Sequence, residues 1–406
     1  MKKWKSLEEL TEWETRIIDK VIKDQRSPLS LKSILLCFGV GDSPLVHELA
    51  SMVNPSRERR TGNTGIPLEL SNNARMNVLS SVVYEKEPNQ YFTAASPLRL
   101  EGNPDDIEIY FKGNILDKAK LAKPDKWVSK KTKNGRAYSS IFLAEGGGKF
   151  IMGTIPVPCC YQVEDKACLF CEYTNVDLDK SVEDFTEVAV AAFKDDPSYR
   201  LTMTGGNTRT EDRGLKRYIP FVKNISKEVA KVIGKKPIIQ IEISPPDFSS
   251  GNGERYIDEL AEAGATSFMM NLEQGDDKYR RIICPEKSKI PYSDYIRAFE
   301  YITKEKDMGA CSILINGLLE PPESTVRYAE MLTELGVKPI IQPFRPFGKL
   351  KRNYPSNPIE FEQVNKEVSE LIDRNNVNLS KVEGCANCPG CSVLEQDNYN
   401  VQMCSS

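Results

Sequence analysis

The chain has 406 residues, 40% of them hydrophobic and 28% charged, with a formal net charge of -3. That length accommodates one large domain with extensions, or two domains, and the balance of acid and base argues against nucleic acid as the default partner. Apolar runs stay near about eight residues, short of the roughly 20 that a membrane helix needs, and the basic start leads into an acidic amphipathic stretch rather than an apolar signal region. A cytoplasmic protein with no membrane contact is expected.

In chain order, residues 1–148 read as an α+β accessory domain. A helix covers roughly 6–25, followed by β-like runs in SILLCF (33–38), NVLSSVVY (77–84), IEIYF (107–111) and SSIFLAE (139–145). EGGG (145–148) suits a tight turn. Residues 149–350 then alternate strand-like and helix-like segments. The strand candidates are 149–155, 199–206, 237–244, 265–272, 311–318 and 338–346, each a short apolar run bounded by Gly, Pro or polar residues, as buried parallel strands are. Helical patterns at 181–193, 214–234, 253–264, 291–305 and 324–336 separate them, the first opening with a Ser-x-x-Asp capping pattern. This predicts an α/β fold, a partial (β/α)6 TIM-like barrel. Residues 351–406 form a polar C-terminal extension rich in cysteine.

Eleven cysteines and one histidine, His47, constrain the chemistry. A Ser–His–Asp or Cys–His system, or a zinc site with His ligands, would have to use His47, which reads as a solvated residue of a helix-like stretch. Six cysteines fall in two tight groups, and in a large intracellular chain such grouping points to metal rather than disulfides. The first group is Cys160-x7-Cys168-x2-Cys171, directly after the first barrel strand. Three thiolates on one loop suit three irons of a [4Fe–4S] cluster and leave the fourth iron open to the amino and carboxylate groups of S-adenosylmethionine (SAM). Cys159 is the alternative first ligand. The second group, Cys385, Cys388 and Cys391, fits a second iron–sulfur cluster, with Cys404, Cys37 or a substrate as fourth ligand, or a zinc knuckle. Cys284 and Cys311 read as packing residues.

Active sites of barrels lie at the C-terminal strand ends, and polar residues recur there. Strand two ends in Gly205-Gly206-Asn207, where glycine lets the backbone approach a ligand. Strand three ends in Glu242 and Ser244, which share a face, strand four in Asn271 and Glu273, strand five in Asn316, and strand six in Gln342 and Arg345. Arg345 is a candidate clamp for a substrate carboxylate.

These residues carry a resemblance. The Cys loop ending CLFC, the Gly pair after strand two, and the run from Met270 to Ile302 resemble the biotin synthase/methylornithine synthase branch of radical SAM proteins. AASPLRL (94–100), ISPPD (243–247), ICPEKSKIPYSDYIRAF (283–299), QPFRP (342–346) and CANCPGCS (385–392) are similar, more narrowly, to the radical SAM family encoded beside nitrilase-type genes. The resemblance implies a [4Fe–4S] cluster on Cys160, Cys168 and Cys171, with Phe170 in the position of the aromatic before the last ligand. It also implies SAM contacts near Gly205, Gly206 and Glu273, with Asn207 where the family has Glu; the strand ends themselves offer Glu242, Ser244 and Asn271 to SAM, and Glu273 and Arg345 to sulfonium or substrate. The partners implied are a small polar, amino-acid-like substrate and a flavodoxin- or ferredoxin-type electron donor. Two alternatives stay open: methyl or aminocarboxypropyl transfer from SAM, and a non-catalytic iron–sulfur or zinc protein.

Overall fold

The computed structural model describes residues 2–23, 28–53, 65–80, 92–123, 125–145, 149–171 and 177–394. The expected turn at 146–148 and Cys404 lie outside these residues.

The N-terminal part opens with three helices, α1 (Leu7–Lys23), α2 (Pro28–Phe38) and α3 (Pro44–Val53). They pack on an antiparallel sheet of β1 (Ile66–Leu70), β2 (Arg75–Val78), β3 (Leu98–Asn103), β4 (Asp106–Phe111) and β5 (Asn114–Leu121), in the order β2-β1-β5-β4-β3. SILLCF is therefore helix, not strand. Its Ile34 to Phe38 are all buried, so a helix enclosed on every side shows no amphipathic period to distinguish it from a buried strand.

The second sheet has seven strands. β6 (Phe142–Glu145) runs antiparallel to β7 (Phe150–Thr154), and all other pairs are parallel in the order β12-β11-β10-β9-β8-β7. The remaining strands are β8 (Arg200–Thr204), β9 (Ile238–Glu242), β10 (Ser267–Met269), β11 (Gly309–Asn316) and β12 (Lys338–Pro343). Between them stand α4 (Cys160–Val163), α5 (Val182–Asp195), α6 (Leu215–Ile233), α7 (Gly253–Ala263), α8 (Asp277–Ile283), α9 (Tyr292–Glu300) and α10 (Pro322–Glu334). The result is a curled parallel half-barrel of mixed α/β class. The cap predicted at α5 is a full capping box: Ser181 Oγ accepts from the Asp184 N–H, and Asp184 accepts from the Ser181 N–H.

A further helix, α11 (Pro358–Arg374), packs on α10 and α2, opening on an Asn357 cap and Pro358 at its first position. The main core lies between sheet and helices. A separate apolar cluster fills the inner face of the half-barrel, with Met269, Cys284, Cys311, Ile313, Ile315 and Phe344 among its buried members. No helix of the described residues is long and apolar enough to cross a membrane.

Candidate active site

The loop after β7 is held by the loop after β8. The Gly206 N–H donates to Val157 O (2.9 Å), and the Cys160 N–H donates to Asn207 O (2.9 Å). A Cβ at Gly206 would stand 2.2 Å from Cys159 N and 2.4 Å from its Cα, so only glycine permits this approach. Cys159 then caps α4. Further on, the Leu169 N–H donates to Ile283 O (2.8 Å) and the Lys349 N–H to Leu169 O (3.1 Å), fixing the Cys168–Cys171 stretch against the end of α8 and the turn at 348–350. Arg209 latches the outside: its guanidinium pairs with Glu164 and Glu286 and lies 4.9 Å from the Tyr161 ring centre. Lys289 and Arg209 hold the Glu286 carboxyl down at about 2.

Inside the half-barrel is a cavity of about 310 Å³. It is lined by Cys159, Cys168, Phe170 and Cys171 from the loop, by Gly205, Gly206 and Asn207 after β8, and by Glu242, Ser244, Asn271 and Glu273 from the next two strand ends. Gln342 and Arg345 line it from β12 and beyond. The structure thus brings most of the sequence-predicted set together. Cys160 differs: Cys159, not Cys160, lines the cavity, because Cys160 opens α4, and burial beside Cys159 pushes its thiol up to about 11.

The polar side of the cavity is a connected network. Asn271 Nδ2 donates to Glu242 Oε1 (2.7 Å), while its Oδ1 accepts from the Ile313 N–H (3.0 Å). Burial, and next the charge of Glu273, raise the Glu242 carboxyl above its ordinary range. Glu273 pairs with Lys287 Nζ at 2.7 Å, both side chains nearly buried. Burial opposes the charge on Lys287, but Glu273 more than restores it. Glu273 is left-handed at φ 67°, a conformation costly for a residue with a side chain, and it bridges to β11 through the Ile313 and Ile315 backbone.

Two residues escaped sequence reading. Lys287 carried no local signal: it lies in a polar run, 14 residues beyond Glu273. Cys284, expected to be packing only, lies against Cys168; a hydrogen bond between the two thiols, then burial, raises the Cys168 thiol. Ser244 was predicted, but its Oγ is buried without a protein partner, an open position for a ligand group. Arg345 faces the cavity, yet its Nε donates to Leu36 O of α2 (3.2 Å), which ties the N-terminal helices to the barrel. His47 is exposed and paired with Asp42, as expected of a solvated histidine.

Among the described residues no three Cys, His, Asp or Glu side chains converge on a point that would hold a single ion. A cubane makes a different demand: each thiolate binds a different iron, so its ligands stand around a volume. Three thiols bordering one cavity, beside a glycine backbone and the open Ser244 hydroxyl, suit a cluster with an additional small ligand.

Comparison with known proteins bears on the same region. Residues 160–332 match the Radical SAM superfamily. No curated protein matches the chain. One solved structure it resembles is the radical SAM methyltransferase TsrM from Kitasatospora setae with cobalamin and a [4Fe-4S] cluster bound, at 14% identity and a TM-score of 0.33. The match covers 49% of this chain and 38% of that one. Residues 160–332, with the cysteine loop at their start and the half-barrel behind it, are a radical SAM domain, and such a domain implies a [4Fe–4S] cluster and SAM.

Proposed function

We propose that the protein is a radical SAM enzyme acting on a small polar, amino-acid-like substrate held in this cavity. The observation that carries the reading is the cavity itself: one space bordered by three loop thiols, a glycine backbone and a paired carboxylate–lysine network. Cys159, Cys168 and Cys171 would hold the cluster, and when bound the cluster with SAM supplies a 5′-deoxyadenosyl radical that abstracts hydrogen. The protein's own residues do the rest. Gly205 and Gly206 let a ligand approach the main chain. Glu242, Asn271 and Ser244 offer acceptors and a donor for hydroxyl and amino groups. Glu273 and Lys287 present one charge of each sign, which suits the ammonium and carboxylate of an amino acid. The apolar inner face excludes water from the reacting centre.

The test is anaerobic reconstitution with iron and sulfide, then dithionite and SAM, with products followed by mass spectrometry. 5′-Deoxyadenosine that disappears in Cys168→Ala supports the reading. Methylthioadenosine would move it to aminocarboxypropyl transfer. A reducible cluster that leaves SAM whole in the presence of candidate amino acids would point to an electron-transfer protein.

A further inference from the structure

The tail after α11 closes the opposite end of the half-barrel, where the strands begin. Gly309, the first residue of β11, is pressed so close to the tail that a Cβ there would meet Lys381 O at 1.9 Å. Gly384, left-handed at φ 69°, fits against Thr202 of β8 and Gln240 of β9. The Cys385 N–H donates to Thr202 Oγ1 (2.7 Å), Arg200 pairs with Glu383 (3.1 Å), and the Asn77 N–H of β2 donates to Gly390 O (2.8 Å). Four separate strands therefore fix the loop that carries Cys385, Cys388 and Cys391.

Two of that loop's three cysteines face inward. Cys385 and Cys391 line the same cavity as Cys159, Cys168 and Cys171. Cys388 is buried, and the Gly390 N–H donates to its Sγ at 3.3 Å, a bond that favours thiolate over thiol. The spacing C-x2-C-x2-C is that of thiolates on neighbouring irons of a cubane.

A second observation is independent of the cysteines. Lys338, at the start of β12, is 3% exposed, and its ammonium donates only to two neutral oxygens, Ala386 O (2.7 Å) and Asn387 Oδ1 (3.0 Å). Among the described residues no carboxylate pairs with it. A buried ammonium without an anion is costly, and both its partners belong to the cysteine loop. An anionic group at that loop would supply the missing charge.

We infer that Cys385, Cys388 and Cys391 hold a second [4Fe–4S] cluster at the base of the half-barrel, with Lys338 as its buried counter-charge. This goes beyond the function proposed above, which uses only the thiols at the barrel mouth. A thiolate-ligated cluster is net negative, so Lys338 both balances it and eases its reduction.

The test uses the full chain, reconstituted anaerobically, with iron, sulfide and zinc counted and reduced clusters followed by electron paramagnetic resonance. The wild type should bind about eight irons, and a Cys385→Ser/Cys388→Ser/Cys391→Ser variant about four. A Cys159→Ala/Cys168→Ala/Cys171→Ala variant should keep the other four or so. If the tail variant does not fold, the wild-type spectrum decides: two reduced signals, of which SAM perturbs one, uphold the inference, and a single signal overturns it. Iron unchanged in the tail variant, or zinc lost with the tail cysteines, overturns it too. Lys338→Met should lower the midpoint potential of the tail cluster alone, and an unchanged potential overturns the role of Lys338. Full iron retention after loss of Cys159, Cys168 and Cys171 would instead sink the proposed function and leave the tail assignment standing.

Discussion

Gly206→Ala is the sharpest probe of how the cysteine loop is positioned. The added Cβ would stand 2.2 Å from Cys159 N, 2.4 Å from Cys159 Cα and 2.5 Å from Pro158 C, all of them backbone atoms. None can rotate aside, so the loop must move by on the order of 1 Å to restore ordinary contact. Such overpacking costs roughly 1–3 kcal/mol, and a displacement of about 1 Å at reacting groups can cost about 10²-fold in rate. Gly205→Ala is the milder comparison: its Cβ would meet Ile155 Cγ1 and Tyr218 Oη at 2.9 Å, side-chain rather than backbone atoms, though in buried residues. Stability of the metal-free protein in urea, iron content after reconstitution and the rate of SAM cleavage should all fall further in Gly206→Ala than in Gly205→Ala. Equal behaviour of the two variants would refute the argument that Gly206 sets the loop.

Three further outcomes are expected. Cys159→Ala should lose about four irons, those of the cluster at the barrel mouth, whereas Cys160→Ala, which removes a thiol outside the cavity lining, should retain them; iron analysis of the two singles decides. Lys287→Met leaves Glu273 buried without its cation and should destabilise by about 3–5 kcal/mol, while Lys287→Met/Glu273→Gln costs less than the two singles together in denaturant titrations. Glu14 is fully buried with both carboxylate oxygens unpartnered, and burial raises its carboxyl well above 4.5. Above pH 4.5 the native state keeps a proton that the unfolded state has lost, so stability falls as pH rises until the raised folded value is passed. Glu14→Gln should remove that slope and be the more stable protein at neutral pH; a steeper or unchanged slope in thermal melts from pH 4 to 8 would count against the assignment.

The parallel strands were legible because both their faces are covered, which makes each a short apolar run between Gly, Pro and polar residues. β10 ends at Met269 although its apolar run continues to Leu272, because the chain leaves the sheet to place Glu273 in its left-handed turn, and nothing in composition announces that. α11 was readable in principle: Asn357 and Pro358 mark its start, and Phe361, Val364, Val368, Leu371 and Ile372 repeat at helical spacing. Surrounding charge masked it as a polar tail. Cysteine spacing located the loop but could not choose between Cys159 and Cys160. That choice depends on which of the two opens a helix and which caps it, a matter of hydrogen bonds to Asn207 rather than of spacing.

The network in the cavity has one more consequence for specificity. Glu242 and Glu273 share the cavity with Lys287, which pairs with Glu273, and with Arg345, whose Nε is turned to Leu36 O, so no cation pairs directly with Glu242 among the described residues. Burial, and next the charge of Glu273, disfavour the ionised form of Glu242 and raise its carboxyl above the ordinary range. A cationic ligand arriving beside Glu242 would reverse the balance, because an adjacent positive charge favours the ionised carboxylate. Neutral ligands gain nothing from that exchange. A sulfonium or an ammonium would therefore be favoured over an isosteric uncharged group, and at a pH where Glu242 holds a proton, binding of such a cation should release it, whereas binding of its neutral analogue should not. Calorimetry in buffers of different ionisation enthalpy measures the proton directly, and Glu242→Gln should abolish its release while leaving the Glu273–Lys287 pair intact.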